Sequence, residues 1–147
     1  MYKWIDDIVG DMITKYNTNN IYELYNFQNI EIKRLDPMNT LLQDNDSLYI
    51  REFFGNEIVF IRNDIPIELE KFILSHELAH ALLHTDIFMA AFNTNTNNDK
   101  LEKQANYFAL KLINCTFDEI ELEGMSLEQI GSYLNIPFEP LCQVVNL

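Results

Sequence analysis

The stretch ILSHELAHALLH, residues 73–84, contains two histidines and a glutamate in the order H-E-x-x-H. His76 and His80 are four residues apart, so on an α-helix their side chains lie on one face, one turn apart. Two imidazoles in this arrangement can each direct a ring nitrogen at one metal ion. Glu77 then projects beside the ion and can accept a proton from a water molecule bound there. The chain has only three histidines, and the third, His84, lies in the same stretch.

The residues around this motif favour a helix. Apolar residues flank it, Pro66 suits a first helical turn, and Glu68 and Glu70 suit the positive end of the helix dipole. The apolar repeat predicts that the helix continues to about His84. Nitrogen and oxygen ligands with one open position suit zinc, so we predict one zinc ion per chain. The alternative is a helix that exposes its histidines and glutamate to solvent.

A catalytic zinc site takes a third protein ligand, and two candidates lie close to the motif. His84 is about 12 Å from His76 along the helix axis, at 1.5 Å per residue, which is too far to share an ion with it. Asp86 follows His80 at an offset that some zinc proteases use. Those enzymes need a glycine at the position of Leu83, which here continues the helix. Asp86 is therefore expected to point away.

The third candidate is Glu102, in LEKQANYF at the start of the next predicted helix. Asn106 follows one turn later on the same face, so the segment offers a carboxylate ligand and an amide that could orient a ligand histidine. A lone helical glutamate would ordinarily be interpreted as a solvated acid, but the upstream motif reverses that preference. We predict His76, His80 and Glu102 as metal ligands and Glu77 as the general base.

These motifs resemble those of the ImmA/IrrE metallopeptidases, a family found on phages, on integrative elements and in some stress-response systems. The first family motif is H-E-x-x-H followed by L-x-H, matched by His76, Glu77, His80 and His84. The second is E-x-x-A-N-x-F-A, matched by Glu102, Ala105, Asn106, Phe108 and Ala109. The resemblance covers most of the chain and implies the same three ligands and the same base. Asn106 also stands where thermolysin-like enzymes place the residue that braces a ligand histidine.

The resemblance further implies a zinc-dependent endopeptidase that cleaves a DNA-binding, helix-turn-helix repressor of the same element. Many relatives continue the second helix into Leu-Leu-Met-Pro. Here residues 112–115 read Leu-Ile-Asn-Cys, without the proline, which is expected to shift the end of the helix. Two other hypotheses use the same residues. One is a zinc-containing module that binds a repressor without cleaving it, although such a module has no need of Glu77. The other is a structural zinc protein, which would want a closed four-ligand site.

The charge of the chain argues against several partners. Ten Lys and Arg stand against 23 Asp and Glu, which gives a formal net charge of −13. Such a surface is unsuited to nucleic-acid phosphates or to an anionic membrane. The segment MSLEQIGSYLNIPFEPL, residues 125–141, faintly resembles a helix-turn-helix but lacks the Lys and Arg of a DNA reader. We interpret it as packing helices.

The cysteines and the apolar pattern predict a cytoplasmic protein. Cys115 and Cys142 make neither a disulfide framework nor a Cys-x-x-Cys pair, and their spacing places both outside the reach of the motif. The first 16 residues carry three Asp and two Lys, unlike a signal peptide. No window reaches the apolar length of a membrane span.

The remaining pattern predicts an α+β fold, in which a small antiparallel sheet packs on helices around a zincin-like core, as one domain of residues 1–147. The expected elements are helices 4–16, 21–27 (capped by Asn20), 66–84 and 100–115, a strand 30–35, a hairpin of strands 47–54 and 57–62 turning at Gly55–Asn56, a helix opened by a capping box at Ser126 and ending near Leu134, and a short terminal helix. The polar stretch 93–100 is expected to be a mobile surface loop.

Peptide hydrolysis also requires a donor for the oxyanion and a surface that holds the substrate. Tyr107 and His84 are both candidates for the donor, and the sequence does not choose between them. An exposed hairpin strand could hold the substrate by strand addition. The strand that ends in Ile58–Ile61 is the better candidate, because it leads directly into the helix of the H-E-x-x-H motif.

Overall fold

The computed structural model describes residues 2–92, 100–113 and 123–145. For residues 143–145 it describes the backbone only. The described elements are α1 Lys3–Tyr16, α2 Ile21–Phe27, β1 Ile30–Leu35, β2 Ser47–Phe53, β3 Asn56–Arg62, α3 Ile67–Leu83, β4 Met89–Phe92, α4 Lys100–Leu112, α5 Leu127–Leu134 and α6 Phe138–Val145. The fold is α+β, as predicted. The predicted polar loop, apart from Lys100, and the predicted end of its following helix at Cys115 lie outside the described residues.

Several helix ends follow from local capping. Asn20 Oδ1 accepts hydrogen bonds from the backbone N–H groups of Tyr22 (2.9 Å) and Glu23 (3.3 Å), so it caps α2 as predicted. Ser126 and Gln129 form the predicted capping box at the start of α5. These signals act over three or four residues and need no tertiary contact.

The hairpin between β2 and β3 turns one residue earlier than the sequence suggested. Its central residues are Phe54 and Gly55, both in the left-handed region with φ of 50° and 85°. Asn56 already belongs to β3 and pairs with Phe53. Two successive residues with positive φ suit the right-handed twist of the strands. Gly55 adopts this conformation without steric cost, whereas Phe54 adopts it with some strain and is 90% exposed as a residue.

The four described strands form a mixed sheet in the order β1-β3-β2-β4. The pairs β2–β3 and β2–β4 are antiparallel, whereas β1 runs parallel to β3. The expectation of a purely antiparallel sheet is corrected on this point. A hairpin turn fixes the β2–β3 direction locally, but the partner of β1 is set by long-range packing. The short strand β4, with the sequence MAAF, carries no β-branched residue and was not predicted.

The strand order overturns the prediction that β3 holds a substrate. Residues Ile58–Ile61 pair with β1 on one side and with β2 on the other. Their backbone hydrogen-bonding groups are therefore already used within the sheet. Among the described strands, β1 and β4 are the ones that lie at the edges.

Helix α3 lies in the main core, between the sheet and α4. It contacts α2, α4, β2, β3 and β4. Every residue from Phe72 to Ala81 is buried. A smaller apolar cluster covers the opposite face of the sheet and consists of Leu35, Leu42, Leu48, Ile50, Ile58 and Phe60. Within the described ranges, no helix is both long and apolar enough to cross a membrane.

The N-terminal part of α3 is anchored to β1 by an ion pair. The guanidinium of Arg34 donates to both carboxylate oxygens of Glu70, at 2.7 and 3.0 Å, and the Tyr22 hydroxyl donates to the same carboxylate. Burial raises the pKa of Glu70, but these hydrogen bonds outweigh that effect and hold it below its ordinary value of 4.5. The ion pair is bidentate, a geometry that fixes orientation as well as distance.

The C-terminal end of α3 is anchored to β2 by Arg51. Its guanidinium donates to backbone carbonyls at the end of the helix and in the turn that follows: Ile87 (2.9 Å), His84 (3.1 Å), Ala81 (3.3 Å) and His80 (3.5 Å). The last carbonyls of a helix have no partner within the helix, and the helix dipole makes this end negative. One cationic side chain therefore satisfies several terminal carbonyls together.

Replacement of Arg51 by methionine should destabilise the protein. Met preserves the apolar stem but removes hydrogen bonds from a charged donor, each worth about 1.5–3 kcal/mol when intact. We expect a loss of about 2–3 kcal/mol in the free energy of unfolding, measured by urea denaturation. Arg62→Met is the matched control, because Arg62 pairs with the exposed Asp64 and the partly exposed Asp46 and contacts no end of a helix. Its loss should cost about 1 kcal/mol or less. Equal losses in the two variants would contradict the anchoring role.

The ion pair between Arg34 and Glu70 should make the free energy of unfolding depend on pH. The pKa of Glu70 lies lower in the folded protein than in the unfolded chain, so its contribution is fully present above about pH 4.5. The contribution is lost as the pH falls through the folded pKa. The difference in unfolding free energy between metal-free wild type and Glu70→Gln should therefore shrink between pH 6 and pH 3. A difference that stays constant or grows on acidification would refute this assignment.

Candidate metal centre

Two histidine rings meet on the buried face of α3. His76 and His80 are one helical turn apart, with 0% and 1% of their surfaces exposed. Their Nε2 atoms lie 3.2 Å apart. The ring of Phe92, on β4, packs beside His76 with its centroid 4.8 Å away. The spacing of the H-E-x-x-H motif thus brings one nitrogen of each ring to a common point.

Glu102, in the first turn of α4, completes this cluster. Its Oε1 lies 3.0 Å from His80 Nε2, and its Oε2 lies 3.1 Å from His76 Nε2. The three side chains form a group whose ligand atoms all lie within 4.8 Å of one another and could hold a metal ion.

The orientation of His76 indicates that this group fits a cation. His76 Nδ1 lies 2.7 Å from the amide oxygen Oδ1 of Asn106. An amide oxygen only accepts, so Nδ1 carries a proton, and in the neutral form of imidazole the other nitrogen, Nε2, then has the lone pair that a metal ligand needs. That lone pair faces a carboxylate oxygen of Glu102 at 3.1 Å. Two electron-rich atoms at this distance repel each other unless a positive charge lies between them, and nitrogen and oxygen donors suit a transition metal.

Glu77 is buried beside this cluster. Neither of its carboxylate oxygens has a hydrogen-bond partner among the described residues. Burial raises its pKa well above 4.5, and the charge of Glu102 raises it further. The hydroxyl of Ser47 and the backbone of Tyr49 lower the pKa without reaching full hydrogen-bond geometry. A cation at the cluster would favour the charged carboxylate, because opposite charges at short range do so.

Comparison with known proteins supports this chemistry. The model of a peptidase family, described as the IrrE N-terminal-like domain, matches residues 28–146. The chain belongs to this ImmA/IrrE family of metallopeptidases. It is 32% identical over 141 residues to the "Metallopeptidase ImmA" of Bacillus subtilis (strain 168), covering 92% of this chain and 80% of that protein. It is also 32% identical over 142 residues to the "Uncharacterized immunity region protein 2" of Bacillus phage phi105, covering 94% and 87%. No solved structure is a significant match.

In this member of the ImmA/IrrE family, the other residues that the sequence suggested as a metal ligand or as an oxyanion donor lie outside the cluster. Asp86 is exposed in the turn after α3 and does not belong to the group that could hold a metal. The hydroxyl of Tyr107 donates to Asp6 Oδ1 at 2.9 Å, and its ring packs against Tyr2. Tyr107 therefore faces α1 and does not meet an oxyanion at the cluster. His84 has both ring nitrogens in hydrogen-bond contact with buried side chains, so it is also a poor donor for a substrate.

The structure adds residues to this metallopeptidase site that the sequence did not identify. Gln104 contacts His84 (2.9 Å), Phe92 packs on His76, and Arg51 holds the carbonyl end of α3. Gln104 lies two residues after Glu102, a spacing that does not share a helix face, so helical periodicity gave no signal for it. Phe92 and Arg51 lie on strands whose position beside α3 depends on the sheet order.

Metal content should separate the residues of the cluster from their neighbours. We expect about one metal ion per chain after gentle purification, measured by elemental analysis. His76→Ala should abolish binding, Glu102→Ala should weaken it by about 10-fold or more, and Asn106→Ala should weaken it by about 10–100-fold.

Asp86→Ala is the control for this set of variants, because its side chain is exposed outside the cluster. It should leave metal content unchanged. Loss of metal in Asp86→Ala together with full retention in Glu102→Ala would show that the third ligand was assigned wrongly.

Proposed function

We propose that this protein is a zinc-dependent endopeptidase that cleaves a DNA-binding, helix-turn-helix repressor of a phage or mobile element and thereby relieves repression. The observation that carries the proposal is the convergence of His76, His80 and Glu102 beside the buried carboxylate of Glu77. The name of the Bacillus phage relative, an immunity region protein, supports a setting in which a repressor is controlled. In this proposal residues 1–147 are one cytoplasmic domain.

In the proposed site, His76, His80 and Glu102 hold one zinc ion. When bound, zinc would polarise the scissile carbonyl and make a water molecule more acidic. The two imidazoles and the carboxylate leave a fourth position open, which is typical of catalytic and not of structural zinc sites. The described Cys142 lies outside the cluster, so its thiol is not one of the proposed ligands.

Glu77 is the proposed general base. It follows a ligand histidine directly in sequence, so it is adjacent to the site without supplying a ligand atom. Its oxygens lack hydrogen-bond partners among the described residues and are therefore able to accept a proton from water. The same carboxyl group then delivers that proton to the leaving amine, which restores the base.

The edge strand β4 is the proposed holder of an extended substrate. Its described pairing is with β2, and no described strand pairs with its opposite side. Phe92 on β4 packs on His76, which places this edge next to the cluster, and Met89 and Ala91 are exposed. A peptide added as a further strand would gain main-chain hydrogen bonds at the position where its carbonyl must be presented. This proposal replaces the earlier assignment of that role to Ile58–Ile61.

The charge of the chain fits a basic substrate. A repressor that binds DNA carries Lys and Arg to contact phosphates, whereas this chain has a formal net charge of −13. Opposite net charges accelerate the encounter of two proteins. The alternative is a zinc-containing switch that binds the repressor without cutting it. Glu77 favours the enzyme, because pure binding gives no reason to bury a proton acceptor beside the cluster.

Glu77→Gln should separate cleavage from binding. Gln is nearly isosteric and the residue supplies no ligand atom, so fold and zinc content should be retained. General acid–base catalysis contributes about 10²–10⁴ in rate, and turnover should fall by at least that range. The experiment is co-expression with a helix-turn-helix repressor from the same phage or mobile element, scored by repressor length and by promoter release.

The control is Glu68→Gln, the same substitution at an exposed position on the same helix, which should behave as wild type. If wild type shortens the repressor and Glu77→Gln does not, the peptidase proposal is supported. Release of the promoter by Glu77→Gln with the repressor intact would favour the binding switch and contradict cleavage.

A further inference from the structure

We propose that His84 and Gln104 form a positioning pair that fixes the tautomer of His80, so that His80 Nε2 presents a lone pair to the metal. The inference rests on the proposed zinc site and adds two residues that act on it through His80. The inference gives a role to the third histidine, His84, which follows His80 by four residues but does not belong to the cluster.

Three side chains form a continuous row of hydrogen bonds behind the cluster. His80 Nδ1 lies 2.9 Å from His84 Nδ1, and His84 Nε2 lies 2.9 Å from Gln104 Oε1. His84 is 7% exposed and Gln104 is 6% exposed, so the row is shielded from water. His84 is the first residue after α3, and Arg51 binds its backbone carbonyl at 3.1 Å. This hydrogen bond from β2 therefore fixes the position of the His84 backbone, from which the side chain extends.

The amide oxygen of Gln104 sets the direction of this row. Because Oε1 only accepts, His84 Nε2 carries its proton, and the other nitrogen of the neutral ring, Nδ1, has a lone pair. Nδ1 of His84 then accepts from His80 Nδ1–H. The remaining nitrogen of His80, Nε2, is left unprotonated and faces Glu102 Oε1 at 3.0 Å. A metal ligand histidine needs this tautomer.

Hydrogen bonds that ran in the opposite direction along this row would prevent His80 from binding the metal. If the amide group of Gln104 presented its NH₂ to His84, the proton of His84 would lie on Nδ1 and that of His80 on Nε2. The proton of His80 would then point at Glu102, where the ion must bind. The orientation of one amide thus selects between a row that admits a metal and a row that excludes it.

The two ligand histidines are braced in the same chemical way from α4. Asn106 accepts directly from His76, whereas Gln104 acts on His80 through one intervening ring. Both end in an amide oxygen, which accepts a hydrogen bond but carries no charge into the core. His84 is the connecting residue that transmits the preference of Gln104 to the ligand one turn away.

Two substitutions at residue 84 separate this role from packing. In His84→Asn the amide oxygen Oδ1 can take the place of the accepting Nδ1, as Asn106 does for His76, so zinc affinity should stay close to wild type. In His84→Leu an apolar side chain fills the space without an acceptor, and affinity should fall by about 10–100-fold. Affinity is measured by competition with a chromogenic zinc chelator, with circular dichroism as the check on folding. Equal or tighter binding by His84→Leu than by His84→Asn would overturn the proposal.

Substitution of Gln104 tests the far end of the row. Gln104→Met removes the amide and should lower zinc affinity by a smaller factor than His84→Leu, because His84 can still accept in one of its two tautomers. Gln28→Met is the matched control, since the amide of Gln28 contacts Tyr16 and none of the histidines. Unchanged affinity in Gln104→Met would contradict the assignment of direction to this amide.

A spectroscopic measurement tests the tautomers without any substitution. Long-range ¹H–¹⁵N correlation of the histidine rings shows which nitrogen carries the proton, and the chain has only three histidines to assign. In the zinc-loaded wild type, His84 should be neutral with its proton on Nε2. A proton on Nδ1 of His84 would refute the inference. Failure of the wild type to bind zinc would instead refute the proposed function, so the two failures are distinguishable.

Discussion

The site depends on holding three electron-rich groups within about 3 Å of one another. The contacts among His76, His80 and Glu102 span 3.0–3.2 Å, and lone pairs at this separation repel unless a cation lies among them. The fold must therefore supply the rigidity that keeps the groups together. It does so by packing α3 against α4 in one core in which small side chains, including Ala79, Ala105 and Ala109, are fully buried. Small residues in this core leave room for α3 and α4 to pack closely, and larger side chains would push His76 and His80 away from Glu102.

The sheet gives α3 its orientation. Arg34 on β1 binds Glu70 near the start of the helix, and Arg51 on β2 binds the carbonyls at its end. Because β3 lies between β1 and β2, the two anchors stand on opposite sides of the central strand. A helix fixed at both ends in this way can neither slide nor rotate without breaking hydrogen bonds from a charged donor. The mixed strand order therefore helps to set the orientation of α3 and of its two histidines.

Features that depend on a few neighbouring residues could be predicted from the sequence. The cap at Asn20, the capping box at Ser126, the hairpin and the i, i+4 pair on α3 are of this kind. The described group that could hold a metal consists of the three residues that spacing and resemblance had selected, and their role as ligands stays a prediction. The parallel partner of β1, the strand β4 and the internal position of β3 depend on long-range packing, which no local pattern encodes. The same reason explains why Tyr107 was a candidate for a place at the cluster, although it faces α1.

The position of Glu102 has a consequence for the assembly of the chain. His76 and His80 belong to one turn of one helix, whereas Glu102 arrives on another helix after the chain has passed through β4. An ion bound by all three would act as a cross-link that closes the loop from residue 80 to residue 102, much as a disulfide would. Binding confined to the folded state adds about 4 kcal/mol when free ion exceeds its dissociation constant 1,000-fold. Chelation would then resemble the reduction of a disulfide, because it would remove the cross-link between α3 and α4 and leave their packed core to hold them together.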